Sequence, residues 1–118
     1  NYAYGQLHGT SNTYFLNGKL NISGQYDKGK MVGNWQYFNE SGVCERNINF
    51  KDERPDGNWV IRYKEGPLKE ECSYKNGERN GNYKSYTPQG NLTYYAKYKK
   101  GKVKKVKVDN RGKASTVR

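Results

Sequence analysis

The segment Gly33–Trp35 reads Gly-Asn-Trp, is followed by Gly42, and recurs as Gly57–Trp59 followed by Gly66. The step between the two copies is 24 residues, and it continues in both directions along the chain. With each first glycine counted as position 0, the glycines at positions 0 and 9 are Gly9, Gly33, Gly57, Gly81 and Gly18, Gly42, Gly66, Gly90. A constant period of this length is typical of a repeat architecture, in which each unit packs on its neighbours.

Each unit is predicted to form two short strands joined by turns. In the first unit, Leu20–Tyr26 alternates apolar or small residues with polar ones, as a half-buried strand does. Asn17-Gly18 and Asn76-Gly77 are strong hairpin turn signals, and no segment has a helical period. We therefore predict an all-β fold, an elongated single-layer antiparallel meander of tandem β-hairpin repeats with nine or ten strands.

One repeat sheet is predicted over residues 1–108, followed by a flexible basic tail at 109–118. Its parts are a half unit at 1–8, units one to four at 9–32, 33–56, 57–80 and 81–104, and a capping strand at 102–108. Tyr2-Ala3-Tyr4 is the predicted strand of the half unit. The lysines of the capping strand would block pairing with other chains at the sheet edge. Unit two has Glu53 where the other units have glycine, so a wider turn is expected there.

Three rows of equivalent residues are predicted to form a core on one face of the sheet. They are position 2 (Ser11, Trp35, Trp59, Tyr83), position 11 (Leu20, Cys44, Leu68, Leu92) and position 17 (Tyr26, Phe50, Tyr74, Tyr98). For position 2 an interface role is equally open, because indoles are typical binding anchors. Trp35 and Phe38 are an odd number of residues apart, which requires either a bulge or aromatic residues on both faces.

The net charge of +11 is concentrated at the C-terminal end. Residues 1–96 carry 12 Lys or Arg against 10 Asp or Glu, whereas residues 97–118 carry 10 against one. The predicted basic patch is Lys97, Lys99, Lys100, Lys102, Lys104, Lys105 and Lys107. Lysines beside Tyr94 and Tyr95 are compatible with single-stranded nucleic acid, with anionic lipid or with an acidic protein surface. A role limited to protecting the sheet edge is also open.

The sequence offers little for catalysis. His8 is the single histidine, and no carboxylate pair or His/Cys cluster has catalytic or metal-binding spacing. We therefore expect no enzyme, no cofactor and no metal. The cysteines, Cys44 and Cys72, are expected to be free, because their predicted separation exceeds the ~7 Å Cα limit for a disulfide. The chain starts at Asn1 inside a half repeat, so we expect a processed or trimmed start and favour the bacterial cell envelope or periplasm over the cytoplasm.

The unit pattern resembles the MORN repeat, and its 24-residue form is similar to the bacterial variant of YwqK-type antitoxin proteins. The resemblance covers roughly residues 2–104. It is carried in units two to four by Gly33, Trp35, Phe38, Gly42, Phe50; by Gly57, Trp59, Gly66, Leu68, Tyr74, Gly77; and by Gly81, Tyr83, Tyr86, Gly90, Leu92, Tyr98, Gly101. Departures are Ser11 at the tryptophan position, Arg62 at the second aromatic position and Glu53 at the third glycine.

The resemblance implies a non-catalytic, protein-binding sheet, and specifically an antitoxin or immunity protein that neutralises a toxin by direct binding. The partner would be a protein, with an acidic surface that the lysines would attract. The predicted partner-binding residues are Trp35, Tyr37, Trp59, Tyr63, Tyr83 and Tyr94. The alternative is a module that binds lipid or nucleic acid through its basic end, or a cell-envelope scaffold. The oligomeric state stays open.

Overall fold

The computed structural model of the chain describes residues 2–3 and 6–111, so Tyr4 of the predicted first strand and residues 112–118 of the predicted tail lie outside the described residues. Its regular elements are all strands, which confirms the all-β prediction. The strands are β1 (Tyr2–Ala3), β2 (Gln6–Leu7), β3 (Gly9–Tyr14), β4 (Leu20–Asp27), β5 (Lys30–Phe38), β6 (Cys44–Lys51), β7 (Arg54–Arg62), β8 (Leu68–Lys75), β9 (Glu78–Arg79), β10 (Gly81–Tyr86), β11 (Leu92–Lys99) and β12 (Lys102–Asp109). Within the described residues there is no helix long and apolar enough to cross a membrane.

Strands β3 to β12 form one open antiparallel sheet in chain order. β9 and β10 both pair with β8 and are separated by Asn80, so they act as one interrupted strand. β1 pairs with β2 outside this sheet. The molecule measures 56 × 37 × 13 Å, and the smallest extent leaves room for a single layer, because stacked sheets lie about 10 Å apart before their outer side chains are added. The predicted elongated meander is confirmed.

One set of turns is identical in all four units. In unit two the amide of Asn39 donates to the carbonyl of Val43 at 2.9 Å, and the amide of Gly42 donates to the carbonyl of Asn39 at 3.0 Å. The corresponding glycines of the other units, all with positive φ, are Gly18, Gly66 and Gly90. Glycine recurs at position 9 because it takes this backbone conformation without a Cβ penalty.

The turns on the opposite edge have two residues, both with positive φ, as in a type I′ hairpin. The wider turn expected at Glu53 is wrong, because Asp52 and Glu53 form the same two-residue turn with φ of 50° and 67°. The amide of Glu53 donates to the carbonyl of Met31 at 2.9 Å, as the equivalent Gly77 does to Pro55. These bonds to the preceding unit, together with the paired strands, impose the turn on a residue that does not favour it.

A bulge at position 12 decides which residues share a face. Tyr37 opposes Arg46 and the next pair is Phe38 with Cys44, which leaves Glu45 as an extra residue in β6. The equivalent extra residues of the other units are Asn21, Lys69 and Thr93. One extra residue moves the preceding side chains to the other face. The prediction that the position-11 row shares the face of the tryptophans is therefore wrong.

The sheet has two chemically different faces. We call one the aromatic face, formed by Tyr26, Trp35, Tyr37, Phe50, Trp59, Tyr74, Tyr83, Tyr94 and Tyr98. We call the other the amide face, formed by Asn34, Gln36, Asn47, Asn49, Asn58, Ser73 and Asn82. The assignment follows from the pairing register, since directly opposed residues share a face. Phe38 and Tyr86, at position 5, lie at the margin of the amide face, so a bulge is present and both faces carry aromatic residues.

The core is small and lies on the aromatic face. The buried apolar residues among those described are Trp35, Ile48, Tyr94 and Ala96. The rings of Tyr26 and Phe50 meet the Trp35 ring edge-on, with centroids 5.2 and 6.4 Å away. Cys44 and Cys72 are half-buried and free, as predicted.

Candidate functional site

The six aromatic residues predicted to bind a partner are gathered on one side of the sheet, but they differ in exposure. Trp35 and Tyr94 are buried, with 4% and 7% of their surface exposed. The four others are half-buried, namely Tyr37, Trp59, Tyr63 and Tyr83. Tyr63 lies in the turn after β7, where its hydroxyl donates to the carbonyl of Tyr86 at 2.7 Å. The accessible aromatic area thus comes mainly from units three and four.

Trp35 is held inside unit two by the backbone. A Cβ atom placed on Gly24 would overlap the Trp35 ring, so the indole lies directly over this glycine. Its Nε1 donates to the carbonyls of Gln25 and Val32, at 3.2 and 3.1 Å. Trp35 therefore has no free polar group and little free surface, which makes it a structural residue.

Trp59, its equivalent in unit three, has different surroundings. Ile48 takes the place of Gly24 at position 15 of the preceding unit, and it lies directly opposite Trp59 in the register. The indole packs towards β8 instead, 4.8 Å from the Tyr74 ring centroid. Its Nε1 donates to Oε1 of Glu70 at 3.0 Å. Trp59 is therefore fixed in orientation while it stays partly exposed.

Glu70 connects Trp59 to unit four. Its Oε2 accepts a hydrogen bond of 2.7 Å from the Tyr83 hydroxyl. Burial, and then the hydrogen bond to Glu70, raises the pKa of Tyr83 above the usual range for tyrosine, so this hydroxyl stays a donor at neutral pH. Glu70 was not among the site residues predicted from the sequence. The sequence did carry a signal for it. Glu70 is the one acidic residue at position 13 of the repeat, where the other units have Ile22, Arg46 and Tyr94.

Two shallow cavities adjoin this carboxylate and together form what we call the unit-three groove. The first, of about 260 Å³, is lined by Arg46, Trp59, Ile61, Lys69 and Glu70. The second, of about 330 Å³, is lined by Tyr63, Lys69, Glu70, Ser85, Tyr86, Thr87, Pro88, Thr93 and Arg111. Lys69 and Glu70 line both, so the groove runs along the aromatic face from unit two to unit four.

The unit-three groove has an excess of positive charge. Arg111 is neutralised by Asp109, at 2.9 Å between Nη2 and Oδ2, and the other ion pair among the described residues joins His8 and Asp27. Arg46 and Lys69 thus have no ion-pair partner among the described residues. The Nζ of Lys69 lies 5.6 Å from the Tyr63 ring centroid, where a cation–π interaction holds it beside the groove.

Arg79 stiffens the aromatic face next to the groove. Its guanidinium carbon lies 4.4 Å from the Tyr83 ring centroid and 5.3 Å from that of Tyr98. Its Nε donates to the Tyr74 hydroxyl and its Nη1 to the Tyr98 hydroxyl, each at 3.4 Å. An arginine inserted among three tyrosines connects unit three to unit four. The sequence pattern did not indicate it, because the equivalent residues are Met31, Pro55 and Val103.

The seven lysines of the predicted basic patch are not one surface. Lys99 and Lys102 pair beside the last turn, where Lys100 has a positive φ of 51°. Lys104 is an extra residue at a bulge in β12. The remaining three, on the amide face or against its residue Tyr95, are Lys97, Lys105 and Lys107.

In the part of the chain that the structure describes, no group of three or more His, Cys, Asp or Glu side chains could hold a metal ion. His8 is exposed, with its Nδ1 3.4 Å from Oδ1 of Asp27. The two cysteines also differ from reactive thiols. Burial raises the pKa of Cys44, and burial, opposed in part by Arg79, raises that of Cys72 to about 12.

Comparison with known proteins agrees with the repeat geometry. A family model described as a MORN repeat variant matches residues 7–28, 55–76 and 79–100, which together make up more than half of the chain. Each match starts two residues before the first glycine of units one, three and four. No curated protein matches the chain. MORN repeats are typically non-enzymatic binding modules. The repeated hairpins, the single open sheet and these three matches establish that the chain belongs to the MORN repeat family, in its variant form.

Proposed function

We propose that this chain is a protein-binding module that docks an acidic partner segment in the unit-three groove, and that it acts as an antitoxin or immunity protein by occupying a toxin. The observation that carries the proposal is Trp59. Its indole is oriented by Glu70, it stays partly exposed, and it lines the first cavity of the groove, next to the Glu70 carboxylate that lines both cavities. A rigid aromatic anchor within a cleft is the usual centre of a protein–protein interface.

The charge around Trp59 supports an acidic partner. Arg46 and Lys69 line the groove. The carboxylate that also lines it, Glu70, already accepts hydrogen bonds from Trp59 and Tyr83. An incoming Asp or Glu side chain would therefore meet two cations against one carboxylate, whose oxygens already accept hydrogen bonds from neutral donors. Complementary charge of this kind speeds association and selects the register of binding. An apolar side chain of the same segment would rest against Trp59 and Ile61.

The antitoxin role is supported by the family. MORN repeats typically act as binding modules, and a 24-residue variant of this kind is similar to antitoxin proteins. An inhibitor of this type works without chemistry of its own, because a tightly bound sheet 13 Å thick can cover an active site or a binding surface. The partner we expect is the product of the neighbouring reading frame.

The test is to co-express that product with this chain and to measure growth, and to measure binding of the two purified proteins by calorimetry. The variant Trp59→Ala combined with Lys69→Gln is expected to lose protection and to bind at least about 30-fold more weakly, the effect of one hot spot. Tyr14→Ala is the matched control, since Tyr14 is an aromatic residue with 60% exposure in unit one, away from the groove.

Circular dichroism should show that both variants keep the β-sheet spectrum. A folded Trp59→Ala/Lys69→Gln variant that protects and binds as well as the unmodified chain would contradict the proposal. Equal weakening by Tyr14→Ala would do so as well, because it would place the interface elsewhere.

A further inference from the structure

Four lysines converge on the amide face of unit four and the adjoining capping strand. Lys84 lies on β10, Lys97 on β11, and Lys105 and Lys107 on β12. Lys97 and Lys105 are directly opposed, an arrangement that destabilises a sheet. Edge protection does not account for the cluster, because Lys84 and Lys97 lie on inner strands. Neither of the two ion pairs among the described residues involves any of these lysines.

Tyr95 positions two of the four ammonium groups. The Nζ atoms of Lys84 and Lys107 each lie 4.8 Å from its ring centroid. Lys107 Nζ also donates to the Tyr95 hydroxyl at 3.3 Å. A cation–π contact restrains an otherwise mobile lysine. These two ammonium groups are thereby held beside the same ring before any ligand arrives, which lowers the entropy cost of binding an anion.

A polar depression extends from this cluster across the amide face. It has a volume of about 420 Å³, and its lining residues are Asn58, Val60, Glu71, Cys72, Ser73, Asn82 and Lys84. Asn82 opposes Lys97, so the amides begin where the lysines end. The one carboxylate there, Glu71, opposes Lys84 and accepts a hydrogen bond of 2.8 Å from the Tyr86 hydroxyl. Cations at one end and, apart from Glu71, neutral donors and acceptors along the rest make a track rather than a uniformly charged plane.

The large apolar residues that are exposed lie elsewhere. Val103 and Val106 oppose Tyr98 and Ala96 on the aromatic face, and Tyr14 and Leu16 lie at the other end of the sheet. A membrane would gain mainly electrostatic contact with the four lysines, because the apolar residue beside them, Val108, is half-buried against Tyr95 and the exposed large apolar residues lie elsewhere. A flexible chain of phosphates and bases can use both the lysines and the amides.

We propose that the amide face of units three and four binds single-stranded nucleic acid, with phosphates at Lys84, Lys97, Lys105 and Lys107 and bases along Asn82 and Asn58. Binding is independent of sequence, because lysine lacks the bidentate geometry that arginine uses on guanine. This site is on the opposite side of the sheet from the unit-three groove, so it does not depend on the proposed protein partner.

The experiment uses the full chain and a fluorescein-labelled dodecathymidylate oligonucleotide, with anisotropy measured over a range of NaCl concentrations. Four phosphate contacts predict a slope of log K against log salt of about −3 for a single strand. The variant K84Q/K97Q/K105Q/K107Q is expected to bind at least about tenfold more weakly at 50 mM salt, with a slope close to zero. The matched control K19Q/K30Q/K51Q/K64Q has the same net charge and is expected to keep most of the affinity.

The variant Tyr95→Ala tests the positioning role, and it is expected to weaken binding less than the quadruple variant does. Equal affinity for the oligonucleotide in the quadruple variant and the unmodified chain would overturn the proposal. Equal losses in the two quadruple variants would overturn it too, because only net charge would then matter. Stronger binding to phosphatidylcholine vesicles containing phosphatidylserine, or to polyglutamate, than to the oligonucleotide would replace nucleic acid with a membrane or an acidic protein.

Discussion

Trp35 and Trp59 occupy the same position in adjacent units and have different roles. Trp35 lies over Gly24, donates to two backbone carbonyls and is 4% exposed. Trp59 is half-buried, and its partner is the carboxylate of Glu70. The repeat pattern treats the two residues as equivalent, but the first completes the core and the second keeps part of its surface exposed.

The residue at position 15 of the preceding unit explains the difference. Gly24 leaves space for a flat indole against the sheet, whereas Ile48 fills the equivalent space in front of Trp59. A buried indole over a glycine can satisfy its N–H with backbone groups, but a displaced one needs a side chain. Glu70 supplies that acceptor. An accessible aromatic side chain can thus arise in a repeat protein from one residue difference in a neighbouring unit.

The largest expected effect separates the two tryptophans directly. Trp35→Ala is predicted to lower the free energy of unfolding by about 3–5 kcal/mol, because a fully packed aromatic ring is lost. Trp59→Ala should cost about 1–2 kcal/mol, since less buried area and one hydrogen bond are removed. Urea unfolding followed by circular dichroism measures both. Losses of equal size would refute the structural assignment of Trp35.

The second prediction concerns the glycine beneath Trp35. Gly24→Ala introduces a methyl group into the volume of the indole, so the ring must shift. We expect a loss of about 1–3 kcal/mol, the usual cost of overpacking. Ser23→Ala is the matched control, because Ser23 is adjacent and faces the other side of the sheet. If Gly24→Ala were as stable as the control, Trp35 would not depend on this contact.

The third prediction removes the charge that orients Trp59. Glu70→Gln weakens the acceptor for the Trp59 indole and the Tyr83 hydroxyl, and we expect a loss of about 1–2 kcal/mol. In the Trp35→Phe background, the fluorescence of Trp59 should also shift to longer wavelength as the indole becomes mobile. An unchanged spectrum would mean that packing on Tyr74, rather than Glu70, holds the ring.

The fourth prediction uses alkaline pH to distinguish the surroundings of Trp59 from those of Trp35. Burial, and then the hydrogen bond to Glu70, raises the pKa of Tyr83, while burial and Glu71 raise that of Tyr86 to about 12. Each hydroxyl therefore has a higher pKa in the folded chain than its ordinary value of 10.0. Its contribution to the free energy of unfolding is fully present below pH 10 and is lost as the pH rises from 10 towards 12. The carbonyl acceptors of Trp35 do not titrate.

The measurement is the urea midpoint at about pH 8 and about pH 10.5. The unmodified chain should lose stability between them, and Tyr83→Phe, although less stable at the lower pH, should lose less. In variants that keep a single tryptophan, the fluorescence of Trp59 should change at a lower pH than the fluorescence of Trp35. The same decline in the Tyr83→Phe variant would rule out Tyr83 as a source of the pH dependence.

The smallest expected effect is a gain. Glu53 takes a φ of 67° in a turn where the other units have glycine. Glu53→Gly relieves this left-handed conformation, which costs an ordinary residue about 1–2 kcal/mol, and adds some entropy to the unfolded chain. We expect a net stabilisation of about 0.5–1 kcal/mol by urea unfolding. A loss of stability would indicate that the Glu53 side chain has a stabilising contact of its own.

Period and glycine spacing were enough to predict the all-β meander, because each 24-residue unit meets the same neighbours and forms the same hydrogen bonds. The turn at Glu53 was mispredicted, since a local preference for glycine was overruled by bonds to Met31 in the adjacent unit. The face of the position-11 row was also mispredicted. A one-residue bulge changes the side on which a side chain lies, and the sequence pattern did not reveal it.

The candidate site was predictable in part. The aromatic residues of units two to four could be named from the repeat, but their division into buried and accessible members depends on contacts between units. Lys84 was absent from the predicted basic patch, because it is 13 residues before Lys97 and comes close to Lys107 only through strand pairing. Arg79 and Glu70 were missed for the same reason, because their contacts with Trp59, Tyr83 and Tyr98 are made across neighbouring strands.

The sequence by itself determined the repeat length, the hairpins, the position-9 turns and the excess of positive charge at one end. These depend on residue type at a fixed spacing, and glycine, tyrosine and lysine express them directly. The tertiary structure alone decided which tryptophan is exposed, which carboxylate orients it and which lysines share a face. Those properties are set by the residue that lies across from each side chain in the neighbouring strand, and the distance along the chain does not report it.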